Sequence, residues 1–151
     1  MRIVSLLPSA TEILFALGAG DEVTGVTGVT FECDYPDEAR LRTIVSTTTL
    51  PDGLTPLEID AAVRARIAAG EDLYTLDEGA LRSLDPDLVV TQDLCAVCAV
   101  DIEEVDAALE HLGCRADVLT LDPVTLDEVL ASVEQVGRRT GRVQEAGELT
   151  G

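Results

Sequence analysis

Residues 2–20, RIVSLLPSATEILFALGAG, decide the fold, because they predict a buried strand, a tight turn and a helix in immediate succession. Residues 3–7 form a nearly continuous apolar run, which is typical of a strand covered on both faces in a parallel sheet. Ser9, followed three residues later by Glu12, is the pattern of a capping box and predicts the helix start. Gly18 can adopt the left-handed conformation that ends a helix. The stretch therefore predicts one βα unit of an α/β domain.

The turn of this βα unit is the first candidate binding loop. Pro8 has no amide N–H and ends the strand, so the turn follows at the strand's carboxyl end. In open α/β sheets, ligands bind in the crevice outside the carboxyl ends of the strands. We therefore expect Ser9, Ala10, Thr11 and Glu12 to face a ligand. The alternative is that Ser9 and Glu12 only cap the helix, and the two roles are compatible.

Strand and helix patterns alternate along the rest of the chain. Further strands are predicted at residues 23–30, 42–46, 88–90 and 118–121, and helices are predicted to begin at Thr55, Asp77, Asp101 and Thr125. The predicted inward stripes include Ile59, Ala62, Val63 and Ile67 in the helix from Thr55, and Leu126, Val129, Leu130, Val133 and Val136 in the helix from Thr125. This alternation predicts an α/β fold, a three-layer sandwich with a mostly parallel, Rossmann-like sheet.

The size and the charge of the chain restrict the classes of protein to which it can belong. The chain has 151 residues, 46% of them apolar, which is enough for one sizeable core. Its 29 acidic and 10 basic residues give a net charge of −19, which argues against nucleic acid and anionic membranes as partners. No apolar run is long enough to cross a bilayer. No signal peptide precedes the first strand, so we expect either a cytoplasmic protein or a secreted one whose leader is missing.

The motifs of common enzyme classes are not found in the sequence. There is no phosphate-binding G-x-x-x-x-G-K-[ST], no G-x-G-x-x-G after a strand, and no G-x-S-x-G. The single histidine, His111, lies late in an amphipathic pattern and is predicted to be a surface residue near a helix C-terminus. We therefore predict no catalytic residues and no metal site.

The four cysteines allow several interpretations. Cys33 follows the second predicted strand, and Cys95 and Cys98 form a C-A-V-C after a later strand, so all three are expected at the carboxyl edge. Cys114 follows a helix and is expected at the opposite edge. The clustered thiols could be structural or form a disulfide, line a ligand cleft, or serve redox or metal chemistry.

Four blocks of the sequence resemble a known family. They are residues 2–20, ECDYP at 32–36, DLYTLD at 72–77 and PDLVVTQDLCAVCAV at 86–100. In this order they are similar to the amino-terminal lobe of cobalamin-binding proteins. These belong to the periplasmic substrate-binding proteins of ABC importers that carry cobalamin, ferric siderophores or metals. The resemblance runs from Arg2 to about Arg142, and it implies two α/β lobes with the ligand held between them and a long bridging helix.

The resemblance also implies particular residues. The ligand-binding positions that it implies are Pro8, Ser9, Ala10, Glu32, Cys33, Gln92, Asp93 and Leu94. It implies that an acidic residue at the start of the helix near Asp101 docks on the permease, which makes Glu103 or Glu104 the candidate. Phe31 stands where close relatives often have histidine, and Phe31, Tyr35 and Tyr74 are the aromatic residues near the predicted site.

These implications define the function predicted from the sequence. We expect residues 1–124 to form the amino-terminal ligand-binding lobe, and residues 125–151 to hold the start of the bridging helix and a polar tail. The expected protein is a non-enzymatic, extracytoplasmic carrier of cobalamin or a ferric siderophore, with no covalently bound cofactor. An ABC permease is its expected partner, and a homodimer could form through the terminal helix. The alternative is a cytoplasmic thiol protein using Cys95 and Cys98 for redox or metal binding.

Overall fold

The sheet has the predicted α/β topology. A computed structural model describes residues 1–21, 24–71, 73–92, 105, 107–110 and 114–151. The described strands are β1 (Ile3–Ser5), β2 (Val26–Thr30), β3 (Thr43–Thr48), β4 (Tyr74–Leu76), β5 (Leu88–Thr91) and β6 (Asp117–Thr120), in the order β4-β3-β2-β1-β5-β6. Neighbouring strands are parallel except for β3 and β4, which are antiparallel.

Helices cover both faces of this sheet. The described helices are α1 (Pro8–Ala16), α2 (Pro56–Ala69), α3 (Glu78–Leu84), α4 (Leu126–Thr140) and α5 (Val143–Thr150), together with a 3-10 helix at Asp37–Leu41. Residues 105 and 107–110 are also helical. None of the described helices is long and apolar enough to cross a membrane.

Two apolar clusters lie on opposite faces of the sheet and make the fold a three-layer sandwich. Ile3 of β1 packs in the cluster that holds Leu14 of α1 and Val136 of α4. The next residue, Val4, packs in the other cluster, which includes Leu81 of α3. This alternation follows from the period of two along a strand. The prediction of an α/β sandwich with a mostly parallel sheet is therefore confirmed.

The predicted start of α1 is wrong by two residues. The helix begins at Pro8, Leu7 occupies the N-cap position, and no side chain among the described residues caps it. Ser9 therefore lies within the first turn and forms no capping box with Glu12. Proline explains the shift, because its fixed φ and missing N–H suit the first helical position. The predicted helix end is confirmed, since Gly18 has a φ of +72° just after the helix.

The other predicted caps among the described residues are confirmed. Thr55 and Thr125 form complete capping boxes with Glu58 and Glu128. Asp77 caps α3 by accepting a hydrogen bond from the backbone N–H of Ala80 at 2.9 Å. The cap predicted at Asp101 lies outside the described residues.

The burial predicted for one helix is wrong, and the end of the chain is helical. The stripe predicted to be buried on the helix from Thr55 contributes no buried residue, and Ile59 and Ile67 are exposed. The predicted polar tail instead forms α5, which begins two residues after the left-handed turn at Gly141. Gly137 lies inside α4, where a Cβ atom would be 2.5 Å from the Cβ of Ala146. Its absence of a side chain therefore lets α5 fold back closely against α4.

Candidate functional site

The predicted ligand-binding loops meet at the carboxyl edge of the sheet. Ser9 follows β1, Cys33 follows β2 and Gln92 follows β5. Because β1 is paired in parallel with both β2 and β5, the ends of these strands lie side by side. The sheet continues from β1 to β2, β3 and β4 on one side, and from β1 to β5 and β6 on the other. The direction of the strand order therefore reverses between β1 and β5, which makes this position the topological switch point of the sheet. Ligands of open α/β sheets bind at such a point.

The predicted residues differ in how much surface they offer at this edge. Ser9 and Glu32 are exposed, and Pro8 and Gln92 are half-buried. Ala10 is buried beneath them. The predicted positions Asp93 and Leu94, and the docking candidates Glu103 and Glu104, lie outside the described residues.

Cys33 lies under the β1–α1 turn. Its side chain is 3% exposed, and its Sγ is 3.0 Å from the hydroxyl of Thr11. The Thr11 hydroxyl also donates a hydrogen bond to the Oγ of Ser5 at 2.8 Å. This buried cluster joins β1, α1 and the chain after β2, and so it fixes the shape of the turn.

The environment of the Cys33 thiol keeps it protonated. Burial raises its pKa, and the nearby charges of Glu32 and Asp34 act in the same direction. Hydrogen bonds with Thr11 and the backbone of Thr30 oppose this shift without overcoming it. A reactive or metal-binding cysteine needs an accessible thiolate, so this residue supports the turn and offers no support for thiol chemistry. Cys95 and Cys98, which are predicted to lie near Cys33, are outside the described residues.

Tyr74 joins the site because β4 is antiparallel. Its phenol donates a hydrogen bond to the carboxylate of Glu32 at 3.3 Å, and its ring centroid is 6.4 Å from that of Phe31. The antiparallel pairing sets Tyr74 opposite Thr48, the last residue of β3, and so brings it to the carboxyl edge. We call Phe31, Glu32 and Tyr74 the edge cluster. The sequence indicates the aromatic residues but gives no signal for the direction of the three-residue strand β4.

Other described residues line cavities in the domain. Tyr35 and Phe15 line a cavity of about 320 Å³ beside α1. A cavity of about 460 Å³ lies at the opposite, amino edge of the sheet, where Arg2, Thr27 and Thr43 line it. Within the described ranges, no group of three or more histidine, cysteine or acidic side chains is arranged to hold a metal ion.

Comparison with known proteins gives one curated relative and a consistent fold. No protein-family model matches the chain. The chain is 30% identical over 150 residues to YvrC, an uncharacterized ABC transporter substrate-binding lipoprotein of Bacillus subtilis. This match covers 98% of the chain but 37% of the relative, so the chain spans well under half of that protein's length.

Solved structures of binding proteins share the fold. The periplasmic heme-binding protein BhuT, in complex with two hemes, matches with a TM-score of 0.67 and 20% identity over 98% of this chain and 44% of that one. The periplasmic vitamin B12 binding protein BtuF of Vibrio cholerae matches with a TM-score of 0.61 and 22% identity over 99% of this chain and 46% of that one. The similarity to YvrC confirms the resemblance to substrate-binding proteins of ABC transporters, and the solved structures confirm the fold.

Proposed function

We propose that this chain is a ligand-binding lobe of an ABC-importer substrate-binding protein, and that its ligand is a metal chelate of the cobalamin, heme or ferric-siderophore type. The observation that carries the proposal is the strand pairing, which sets the ends of β1, β2 and β5 side by side and so brings Ser9, Gln92 and the edge cluster to one edge of the sheet. The similarity to YvrC supports the substrate-binding role, and the shared fold with BhuT and BtuF, whose ligands are heme and vitamin B12, supports this class of ligand.

The chemistry of the carboxyl edge suits such a ligand. The rings of Phe31 and Tyr74 offer apolar faces on which a flat macrocycle can pack. Ser9 and Gln92 offer neutral hydrogen-bonding groups at the same edge of the sheet. No described side chain caps α1, so the amide groups in its first turn can bind an anionic group of the ligand.

The proposed action is capture and delivery without catalysis. The carboxyl edge forms one wall of the ligand cleft, and an acidic surface docks on the permease, with Glu103 or Glu104 as the candidate contact. This role places the protein outside the cytoplasm. We propose residues 1–124 as the ligand-binding lobe, with the residues after them leading to a second lobe in the full-length relatives.

A direct titration tests the proposal. Cyanocobalamin, haemin and ferrichrome are each added to the 151-residue chain up to millimolar concentration, and binding is followed by absorbance and calorimetry. We expect one of them to bind with a Kd above about 10 µM, because a single wall supplies only part of the contact free energy. Phe31→Asp should abolish this binding, whereas Thr43→Asp, at the amino edge, should leave it unchanged. Binding of none of the three ligands, or equal loss in both variants, would contradict the proposal.

A further inference from the structure

The connection between β3 and β4 begins and ends at the carboxyl edge. In the sheet, Thr48 at the end of β3 is paired with Tyr74 at the start of β4. The backbone N–H of Thr49 donates to the carbonyl of Leu73 at 2.9 Å and closes the base of the connection. The connection contains α2, so this helix belongs to the same edge as the candidate site.

The side of α2 that faces the domain is only partly covered. Helical spacing places Ile59, Ala62, Val63 and Arg66 on one face, and the last three are half-buried. Arg66 holds the helix by donating to the carbonyl of Thr49 at 3.0 Å. Ile59, on the same face, is nevertheless 42% exposed. This face of α2 therefore leaves the apolar side chain of Ile59 without full contact.

The hydrogen bond from Arg66 to the residue that follows β3 anchors α2 beside the end of this strand. Leu73, at the base of the connection, precedes Tyr74, which contacts both Phe31 and Glu32. Adjacent strands are about 4.8 Å apart, so β3 is only about 10 Å from β1. A macrocycle seated over the end of β1 can therefore extend toward α2.

We infer that α2 forms a side wall of the ligand cleft, and that Ile59 and Val63 contact an apolar face of a bound metal chelate with a tetrapyrrole-type ring, as in cobalamin or heme. This inference rests on the proposed function. It assigns a specificity-determining role to α2, a helix that contains none of the predicted ligand-binding residues.

Charge favours a small ligand over a second copy of the chain as the group that covers α2. The helix carries two acidic residues, Glu58 and Asp60, and two arginines, Arg64 and Arg66, so its own charge is zero. The whole chain carries −19, and a second copy would bring the same charge to the surface. A neutral or weakly anionic chelate meets no such repulsion.

Two substitutions on α2 form a matched test. Ile59→Ser changes the partly covered face, and Leu57→Ser changes an apolar residue that is 79% exposed on the opposite side. Both variants should fold like the unchanged chain, because α2, described in full, contributes no buried residue to the core. With cyanocobalamin and haemin as probes, we expect Ile59→Ser to weaken binding by about fivefold to tenfold, and Leu57→Ser by less than about twofold.

Amide chemical-shift mapping by NMR with the same two probes separates the outcomes. Shifts in α2 together with shifts around residues 31–33 and 92 would support the inference. Shifts confined to those loops, with unchanged affinity of Ile59→Ser, would overturn it and leave the proposed function standing. If the unchanged chain binds ferrichrome but neither cyanocobalamin nor haemin, the inference is overturned and the proposed function stands. If it binds none of the three ligands, both the inference and the proposed function are overturned. If the chemical shifts of α2 change with protein concentration in the absence of ligand, a second copy of the chain covers this face and the inference is overturned.

Discussion

At the scale of single residues, the buried thiol of Cys33 shows how an apparently reactive group acts structurally. Its contact with Thr11 and the bond from Thr11 to Ser5 connect the elements that form the β1–α1 turn. Burial is the main cause of its raised pKa. A raised thiol pKa stabilises the folded protein while the thiol is protonated, and this contribution is lost as the pH rises through the folded-state pKa.

We predict that Cys33 reacts slowly with iodoacetamide in the folded chain. At pH 8 its rate should be at least about tenfold lower than that of the half-buried Cys114, because Cys33 is both shielded and protonated. Peptide-resolved mass spectrometry measures each site separately, and urea-unfolded protein is the control in which the two rates converge. Rapid alkylation of Cys33 in the folded chain would contradict its burial.

Residue identity alone predicted the candidate site only in part. The order of strands and helices was sufficient to bring Ser9, Cys33 and Gln92 to one edge, because parallel strands end on the same side. Side-chain accessibility could not be predicted, so Cys33 was expected to line the cleft although it is buried. Tyr74 could not be assigned to the edge cluster, because this depends on the antiparallel direction of β4.

At the scale of elements, local signals predicted most helix starts and failed where two signals competed. Thr55, Asp77 and Thr125 cap their helices as their sequence patterns indicate. At α1, the capping pattern of Ser9 and Glu12 competes with Pro8, and proline determines the first helical residue. The apolar spacing of α2 predicts a face buried in the core, but α2 contributes no buried residue. Spacing alone does not reveal whether a neighbouring element covers the face.

The two kinds of helix start lead to a paired prediction. Thr125→Ala should lower the free energy of unfolding by about 1 kcal/mol, because the Thr125 hydroxyl accepts a hydrogen bond from the backbone N–H of Glu128. Ser9→Ala should cost less than about 0.3 kcal/mol, since Ser9 is exposed and caps nothing among the described residues. Urea unfolding followed by circular dichroism measures both. An equal cost for the two substitutions would contradict the described start of α1.

The crossing of α4 and α5 gives a second prediction at this scale. Gly137→Ala should destabilise the protein by about 1–3 kcal/mol, because the new Cβ would overlap the Cβ of Ala146. Gly147→Ala is the matched control within α5, where a Cβ meets no atom within 4 Å. It should be neutral or stabilising by up to about 1 kcal/mol. Thermal unfolding compares them, and equal effects of the two substitutions would contradict the close approach of α5 to α4 at Gly137.

At the scale of the whole molecule, α4 is covered along only part of its length. Val133 and Val136 pack in the core with α1, as their predicted stripe requires. Leu126, Val129 and Leu130 continue the same stripe toward the start of the helix but are exposed. In YvrC, BhuT and BtuF, more than half of the protein lies outside the region that this chain matches.

We therefore predict that the isolated 151-residue chain self-associates through the exposed start of α4, and that salt strengthens the association. Apolar surface favours a two-fold dimer that buries the same patch on both copies, whereas a net charge of −19 on each copy opposes it. Raising the salt concentration from 0.1 to 1 M shortens the Debye length from about 10 to about 3 Å and weakens this repulsion. Sedimentation velocity across that range should show a rising dimer fraction.

Two substitutions test which surface is buried in the dimer. Leu130→Asp should reduce the dimer fraction at every salt concentration, and Val143→Asp, at an exposed apolar position on α5, should reduce it much less. A monomer at all salt concentrations would contradict this prediction.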